Sequence, residues 1–299
     1  MQLYDIIFFS VWSLSTKRTG KKGKKMQYQP KSEDYEFLKD KQCFIFDIDG
    51  TVAWGTNPIP EARDFILRLR ACSKRVVFYT NNPNRSHEQA ARYLSDMGFE
   101  VTPEEIVSSE DLTFSYLREH CPGGRVFVLG IPTMEQNFKA AGFDVVGMEA
   151  ESAEAVVVGF DQSMTYDRAT KACRLVLGGA TLIGTHPDRL TPGQDGMVID
   201  CGSICAMITS ATEVEPVYMG KPTPYGLALI EKLTGLSADA MCMVGDRLYT
   251  DIAFGNNSGM TSLLVLTGGT SLKEALEAKG NERPDVILPH LGYVSELLG

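Results

Sequence analysis

Four aspartates and a lysine stand where a globular chain ordinarily keeps uncharged side chains. In IFDIDGTVAWG, residues 45–55, Asp47 and Asp49 interrupt an apolar run that reads as a buried strand. A carboxylate buried without a partner is costly. Residues two apart in a strand share a face, so both would project together near the strand's C-terminal end, where Gly50 and Thr51 turn the chain. A second acidic group occupies a matching place: MCMVGDRLYTD, residues 241–251, is an apolar strand ending in Asp246, with Asp251 in the loop or helix start beyond. If the two strands are neighbours, up to four carboxylates converge, a repulsive arrangement that calls for a cation. Hard oxygen ligands with few all-protein contacts favour Mg²⁺. FYTNNPNRS closes another strand with the neutral hydrogen-bonding residues Thr80, Asn81 and Asn82. GKPTPYG sets Lys221 just ahead of Pro222 and a helix, where a cation opposes the dipole unless an anion such as phosphate shares the site. Singly, each motif has a plainer reading: D-x-D-G as a turn or cap, T-N-N as a turn, G-D-x-x-x-x-D as a solvated loop. Their joint occurrence at strand ends points to phosphoryl chemistry at a metal.

The elements that would carry these residues alternate. CFIFDID reads as a strand, IPEARDFILRLRACS as a helix with Ala62, Phe65, Ile66 and Leu69 on one face, RVVFYT as a strand, and SHEQAARYLSDMG as a helix. The alternation returns near the end with YGLALIEKLTG, AMCMVGD and TSLLVLTGG. Near-continuous apolar strands between helices indicate an α/β fold, a Rossmann-like parallel sheet covered on both faces, with ligands beyond the C-terminal strand ends. The middle holds a second βα series, from RVFVLG to SICAMITSA. Two motif-bearing halves around it predict an inserted α/β cap at 122–214 within a core made of 26–121 and 215–299.

At 299 residues, with 43% hydrophobic and 22% charged residues, the chain suits a large globular core of two domains. Its net charge of −9 argues against nucleic acid as a partner. No stretch has the apolar length of a membrane span. The first 25 residues differ: IIFFSVWSL precedes TKRTGKKGKK, giving this segment +5 and leaving −14 for the rest. A secretory signal has the reverse order. A disordered or non-native extension is expected there, with a membrane-surface anchor as the alternative. The seven cysteines include no C-x-x-C, and several lie in apolar runs, as in a reduced cytoplasmic protein. Cys201 and Cys205, one helical turn apart, lack further ligands at zinc spacing. The four histidines form no sequence cluster and are expected mostly at the surface.

D-x-D-G-T, a strand-end Thr, a G-K-P lysine and G-D-x-x-x-x-D follow in the order seen in the haloacid dehalogenase superfamily. FDIDGTV, YTNNP, GKPTP and VGDRLYTD resemble its class IIA phosphatases, the NagD-like or 4-nitrophenylphosphatase-like enzymes, over residues 40–298. The resemblance implies a Mg²⁺-dependent hydrolysis of small-molecule phosphate esters. Asp47 would attack phosphorus and Asp49 would serve as acid and base. Asp47, the carbonyl of Asp49 and Asp246 would hold Mg²⁺, with Asp251 supporting the metal shell. Thr80, Asn81 and Lys221 would hold the phosphoryl group. THPDRLTPGQDGMVIDCGS, residues 185–203, resembles the family's substrate-specificity loop and offers His186, Asp188, Arg189 and Asp200 as polar contacts for the substrate, with a surface loop position as the plainer reading of His186. Trp54 packs over substrate or braces the flap. A phosphotransferase or phosphomutase on the same fold is the nearest alternative. A receiver-type domain lacks a counterpart of Asp49, and a membrane-tethered interaction protein would rest on the basic segment. A homodimer is compatible with all of these.

Overall fold

The computed structural model describes residues 28–82, 85–193 and 196–295; the basic segment 1–25 lies outside the described residues. The chain enters the core through β1 (Cys43–Phe46), then forms a small flap hairpin, β2 (Ala53–Trp54) and β3 (Asn57–Pro58), and returns to the core in β4 (Arg75–Thr80) and β5 (Ile106–Ser108). Next come β6 (Arg125–Leu129), β7 (Asp144–Val145), β8 (Ala155–Val158) and β9 (Thr181–Gly184), the hairpin β10 (Leu190–Gly193) and β11 (Gly196–Ile199), and β12 (Val217–Tyr218). The core is completed by β13 (Met241–Gly245), β14 (Thr261–Val265) and β15 (Val286–Leu288).

The core sheet has the order β15-β14-β13-β1-β4-β5, and all its pairings are parallel. β1 is buried on both faces. Phe44 and Phe46 enter one apolar cluster, while Cys43 and Ile45 enter the other. That explains why the run is apolar throughout rather than alternating. The helix Pro60–Ala71 buries Ala62, Phe65, Ile66 and Leu69 against this sheet, the face its spacing predicts.

The strand read as CFIFDID stops at Phe46. The N–H of Asp47 still bonds the Val244 carbonyl at 2.9 Å, but beyond it the backbone winds around the Ile48 carbonyl, which accepts from Val52 at 3.0 Å and Ala53 at 3.1 Å. Asp47 and Asp49 therefore leave the sheet on a tight turn, and the same-face argument for a strand does not apply to them.

The second sheet, also parallel, has the order β12-β9-β8-β6-β7. Its last strand, β12, lies past residue 214, the expected end of the insert, because Val217 pairs with Ile183 of β9. One apolar cluster joins the two units: Ile45, Tyr79 and Met243 of the core share it with Val128, Phe138 and Val157. The second unit is thus seated on the core by continuous packing as well as by its linkers.

Candidate active site

The register of the central strands assembles the site. Phe46 pairs with Val244 across β1 and β13, and with Phe78 across β1 and β4. Asp47, Asp246 and Thr80 consequently emerge at neighbouring C-terminal strand ends. Gly50, at φ +90°, turns the chain there; a Cβ on it would lie 2.6 Å from Asp246 Oδ2, so the position has no room for a side chain.

Lys221 is the centre of charge. It is 1% exposed. Its Nζ lies 2.6 Å from Asp47 Oδ1, 2.8 Å from Asp251 Oδ1 and 2.9 Å from the Tyr79 carbonyl. Burial opposes the ammonium charge, but Asp251 and Asp47 outweigh it and hold Lys221 above the ordinary lysine value. Asp251 comes from the wide turn Leu248–Ile252, and its other oxygen accepts from the N–H groups of Asp246 and Arg247.

Asp246 is 2% exposed. One of its oxygens accepts from Gly269 N–H, and Oδ1 has no partner among the described residues. Burial and the charge of Asp251 push it up to about 7. Asp47 is likewise raised, by burial first, against the pull of Lys221. Oxygen atoms of Asp47, Asp246 and Asp251 lie within 4.8 Å of one another. An orphaned buried carboxylate oxygen in an all-oxygen donor set fits a hard divalent cation such as Mg²⁺.

The expected convergence of four carboxylates is corrected to three: Asp49 lies outside this cluster. It reaches solvent at the mouth of the site. Partial withdrawal from water moves its carboxyl upward, against the charges of Arg85, Arg247 and Lys221. Arg85, stacked 4.0 Å over the Tyr93 ring, was not singled out in the sequence; its basic charge next to the T-N-N motif was the available signal.

Thr80 is 8% exposed, and its hydroxyl accepts from Asn82 N–H. The amide of Asn81 is committed elsewhere. It accepts from Lys221 N–H at 2.9 Å and donates to the Lys221 carbonyl and to Asp188 Oδ2, both at 3.0 Å. Its side chain therefore fixes the lysine's backbone. A Cβ on Gly220 would lie 2.4 Å from Asn81 Oδ1, which requires glycine before the lysine.

From the second unit, the segment after β9 reaches this centre. Asp188 accepts from Asn81, and its Oδ1 accepts from Tyr249 O–H at 3.1 Å and lies 3.5 Å from Arg247 Nη1. His186, expected as a polar contact for the substrate or else as a surface loop residue, is neither: it is 2% exposed, enclosed between Asp188 and Asp200. Burial lowers its affinity for a proton, but Asp188, Cys201 and Asp200 more than compensate and raise it to about 9. Arg189 is exposed. Arg247 and Tyr249, also not singled out in the sequence, flank the metal-side motif. Trp54 braces the flap, since its Nε1–H donates to the Thr267 carbonyl at 2.9 Å, while Thr267 O–H donates to the Gly50 carbonyl. Cys201 and Cys205 hold their sulfurs 4.0 Å apart, and among the described residues no third ligand joins them.

Aspartates delivered by adjacent parallel strands to a buried lysine, beneath a second α/β unit, define a haloacid dehalogenase-type hydrolase. The chain belongs to that family. Residues 44–144 match the haloacid dehalogenase-like hydrolase model and residues 218–294 a HAD-hydrolase-like one. Within the family it is a phosphoric monoester hydrolase of class IIA, the NagD-like and 4-nitrophenylphosphatase-like group. It is 33% identical over 237 residues to the acid sugar phosphatase of Staphylococcus aureus, covering 79% of this chain and 91% of that protein. The 4-nitrophenylphosphatase of Thermotoga maritima shares its fold with a TM-score of 0.81 at 36% identity, over 88% of this chain and 99% of that one. NagD of E. coli aligns with a TM-score of 0.76 at 28% identity, over 84% and 97% of the respective chains. No helix among the described residues is long and apolar enough to cross a membrane.

Proposed function

We propose that this phosphatase hydrolyses small-molecule phosphate esters, sugar phosphates foremost, through an aspartyl-phosphate on Asp47 with Mg²⁺ as its cofactor. The observation that carries the reading is Lys221, buried and held 2.6 Å from Asp47 Oδ1 and 2.8 Å from Asp251 Oδ1, beside the unpartnered Asp246 Oδ1. Asp47, Asp246 and the carbonyl of Asp49 would hold the ion, with Asp251 supporting them. When bound, Mg²⁺ would offset the repulsion among these carboxylates and the charge of the phosphoryl group. The sugar-phosphate preference follows from the likeness to the acid sugar phosphatase.

In the first half-reaction a free oxygen of Asp47 forms a bond to phosphorus as the ester P–O bond breaks. Asp49 gives its proton to the departing oxygen. Its upward displacement favours the protonated form this needs. In the second half-reaction Asp49 takes a proton from water, whose oxygen bonds phosphorus and releases the Asp47 carboxylate. Lys221 neutralises charge on Asp47 throughout, and the Thr80 hydroxyl donates to a phosphoryl oxygen. Asn81 contributes by holding Lys221. Arg189, exposed just ahead of the hairpin, is taken as the residue of the cap that meets the leaving group. Residues 122–214, with β12, act as the domain that selects it.

The test is release of inorganic phosphate from a panel of phosphomonoesters by wild type and by Asp47→Asn. The variant retains shape without an attacking charge and should fold yet show no turnover. Retention of a tenth or more of wild-type turnover would exclude Asp47 as the nucleophile.

A further inference from the structure

One carboxylate of the second unit reaches the Lys221 side of the core. Asp188 is 5% exposed and meets three core side chains. Asn81 Nδ2 lies 3.0 Å from Oδ2, and Tyr249 O–H and Arg247 Nη1 lie 3.1 and 3.5 Å from Oδ1. Two of these partners lead to the centre of the site. Asn81 grips the backbone of Lys221 on both sides, and Arg247 follows Asp246 directly in sequence.

Behind Asp188 stands His186, sealed from solvent. Its Nδ1 lies 3.1 Å from Asp188 Oδ2 and its Nε2 lies 3.5 Å from Asp200 Oδ1. Among the described residues neither nitrogen has a well-aligned hydrogen bond, so the ring is held by charge between two carboxylates. Asp200 is itself fixed. Its Oδ1 accepts from Cys201 N–H at 2.7 Å, capping the helix Cys201–Thr212, and its own N–H donates to the Arg189 carbonyl at 2.9 Å. The series runs from the helix cap through Asp200 and His186 to Asp188, and from there to the lysine and metal sides of the site. A ring so enclosed cannot contact a leaving group.

We propose that His186 is a positioning residue: wedged between Asp200 and Asp188, it sets where the Asp188 carboxylate lies and thereby the placement of Asn81 and Arg247. The cap loop then governs turnover of every substrate in addition to choosing among them. This inference rests on the phosphatase reading and concerns how fast a bound ester reacts. Misplacement of reacting groups by about 1 Å can cost up to about 100-fold in rate, so a relay of this kind has room for a measurable effect.

The experiment is a double-mutant cycle with His186→Gln, Asp188→Asn and the pair. Values of kcat and KM are measured on 4-nitrophenyl phosphate and on a hexose phosphate with excess Mg²⁺, and thermal stability is recorded in parallel. His186→Gln should lower kcat by about tenfold, by the same factor on both substrates, with KM nearly unchanged. In the Asp188→Asn background the same substitution should change kcat less than about twofold, because the group it acts through is gone. A loss confined to the hexose phosphate would overturn the proposal in favour of a leaving-group contact. Full additivity, or a kcat loss that vanishes on cooling below the variant's unfolding onset, would overturn it in favour of a purely structural role. Unchanged kinetics would also overturn it. Should the His186 variants fail to fold, Tyr249→Phe removes one Asp188 contact from the core side at a half-exposed residue. It should lower kcat a few-fold on both substrates, and equal kcat with wild type would sink the relay. Activity of wild type, and its loss in Asp47→Asn, separate failure of this inference from failure of the phosphatase reading.

Discussion

Replacing Asp246 by Asn should stabilise the metal-free protein while ending its response to Mg²⁺. In the folded state the carboxyl of Asp246 is raised from 3.8 to about 7, by burial and by the charge of Asp251. Between these values the folded protein keeps a proton that the unfolded chain has released. Stability without metal therefore falls as pH rises through this window and is lowest above it. A displacement of about three units at about 1.36 kcal/mol each corresponds to about 4 kcal/mol. Relaxation and the high effective dielectric of real sites reduce this to on the order of 2 kcal/mol. At about 2–4 °C per kcal/mol for chains of this class, Asp246→Asn should raise Tm by roughly 5 °C in chelator near neutral pH. At about pH 4 the difference should vanish, since wild-type Asp246 is then protonated. The Asn amide also supplies a donor toward Asp47 and Asp251, whose oxygens lie within 4.8 Å. Thermal unfolding of wild type and variant, with chelator or excess Mg²⁺ at the two pH values, measures these effects. Wild type should gain stability from Mg²⁺ near neutral pH, and the variant should gain much less. A variant that melts below wild type in chelator, or that Mg²⁺ stabilises as fully, would refute the account of Asp246 as a carboxylate whose charge is costly until a cation meets it.

Lys221→Met removes a cation that is 1% exposed and leaves Asp47 and Asp251 facing each other. The cost should be about 3–5 kcal/mol, read as a lower denaturation midpoint, with phosphate release abolished. Arg189→Ala alters an exposed side chain, so stability should stay within about 0.5 kcal/mol. Its kcat/KM should fall for sugar phosphates and stay within about twofold for 4-nitrophenyl phosphate; equal losses on both substrates would place Arg189 outside leaving-group recognition.

Much of the site was legible because it is built from short motifs at strand ends. Strands such as β1, β4 and β13 are buried on both faces, and that burial marks them in sequence as apolar runs. A charged residue at the end of such a run is conspicuous for the same reason. Asp47 and Asp246 could be singled out this way, Thr80 as a polar residue closing the apolar run of β4, and Lys221 as a cation set just ahead of a helix. The turn at Asp49 was less legible. The D-x-D-G spacing looks like a continuing strand, and only the capture of the Ile48 carbonyl by Val52 and Ala53 shows that the second aspartate leaves the first. By its neighbours in sequence Asn81 reads as a phosphate ligand, because the segment that occupies its amide, around Lys221, lies 140 residues away.

What the sequence by itself determined is the chemistry available: which side chains can attack, donate a proton, neutralise phosphate or hold a cation, and the α/β alternation that carries them to one edge of a sheet. These depend on residue type and on local period, which are properties of short stretches. Tertiary structure alone decided which of those groups meet. It brings three carboxylates together and sets Asp49 apart. It buries His186 between Asp188 and Asp200, and joins Asp188 to Arg247 and Tyr249 from 59 and 61 residues away. Such meetings arise from the seating of one α/β unit on another through shared apolar packing, and no local period in the chain encodes that contact.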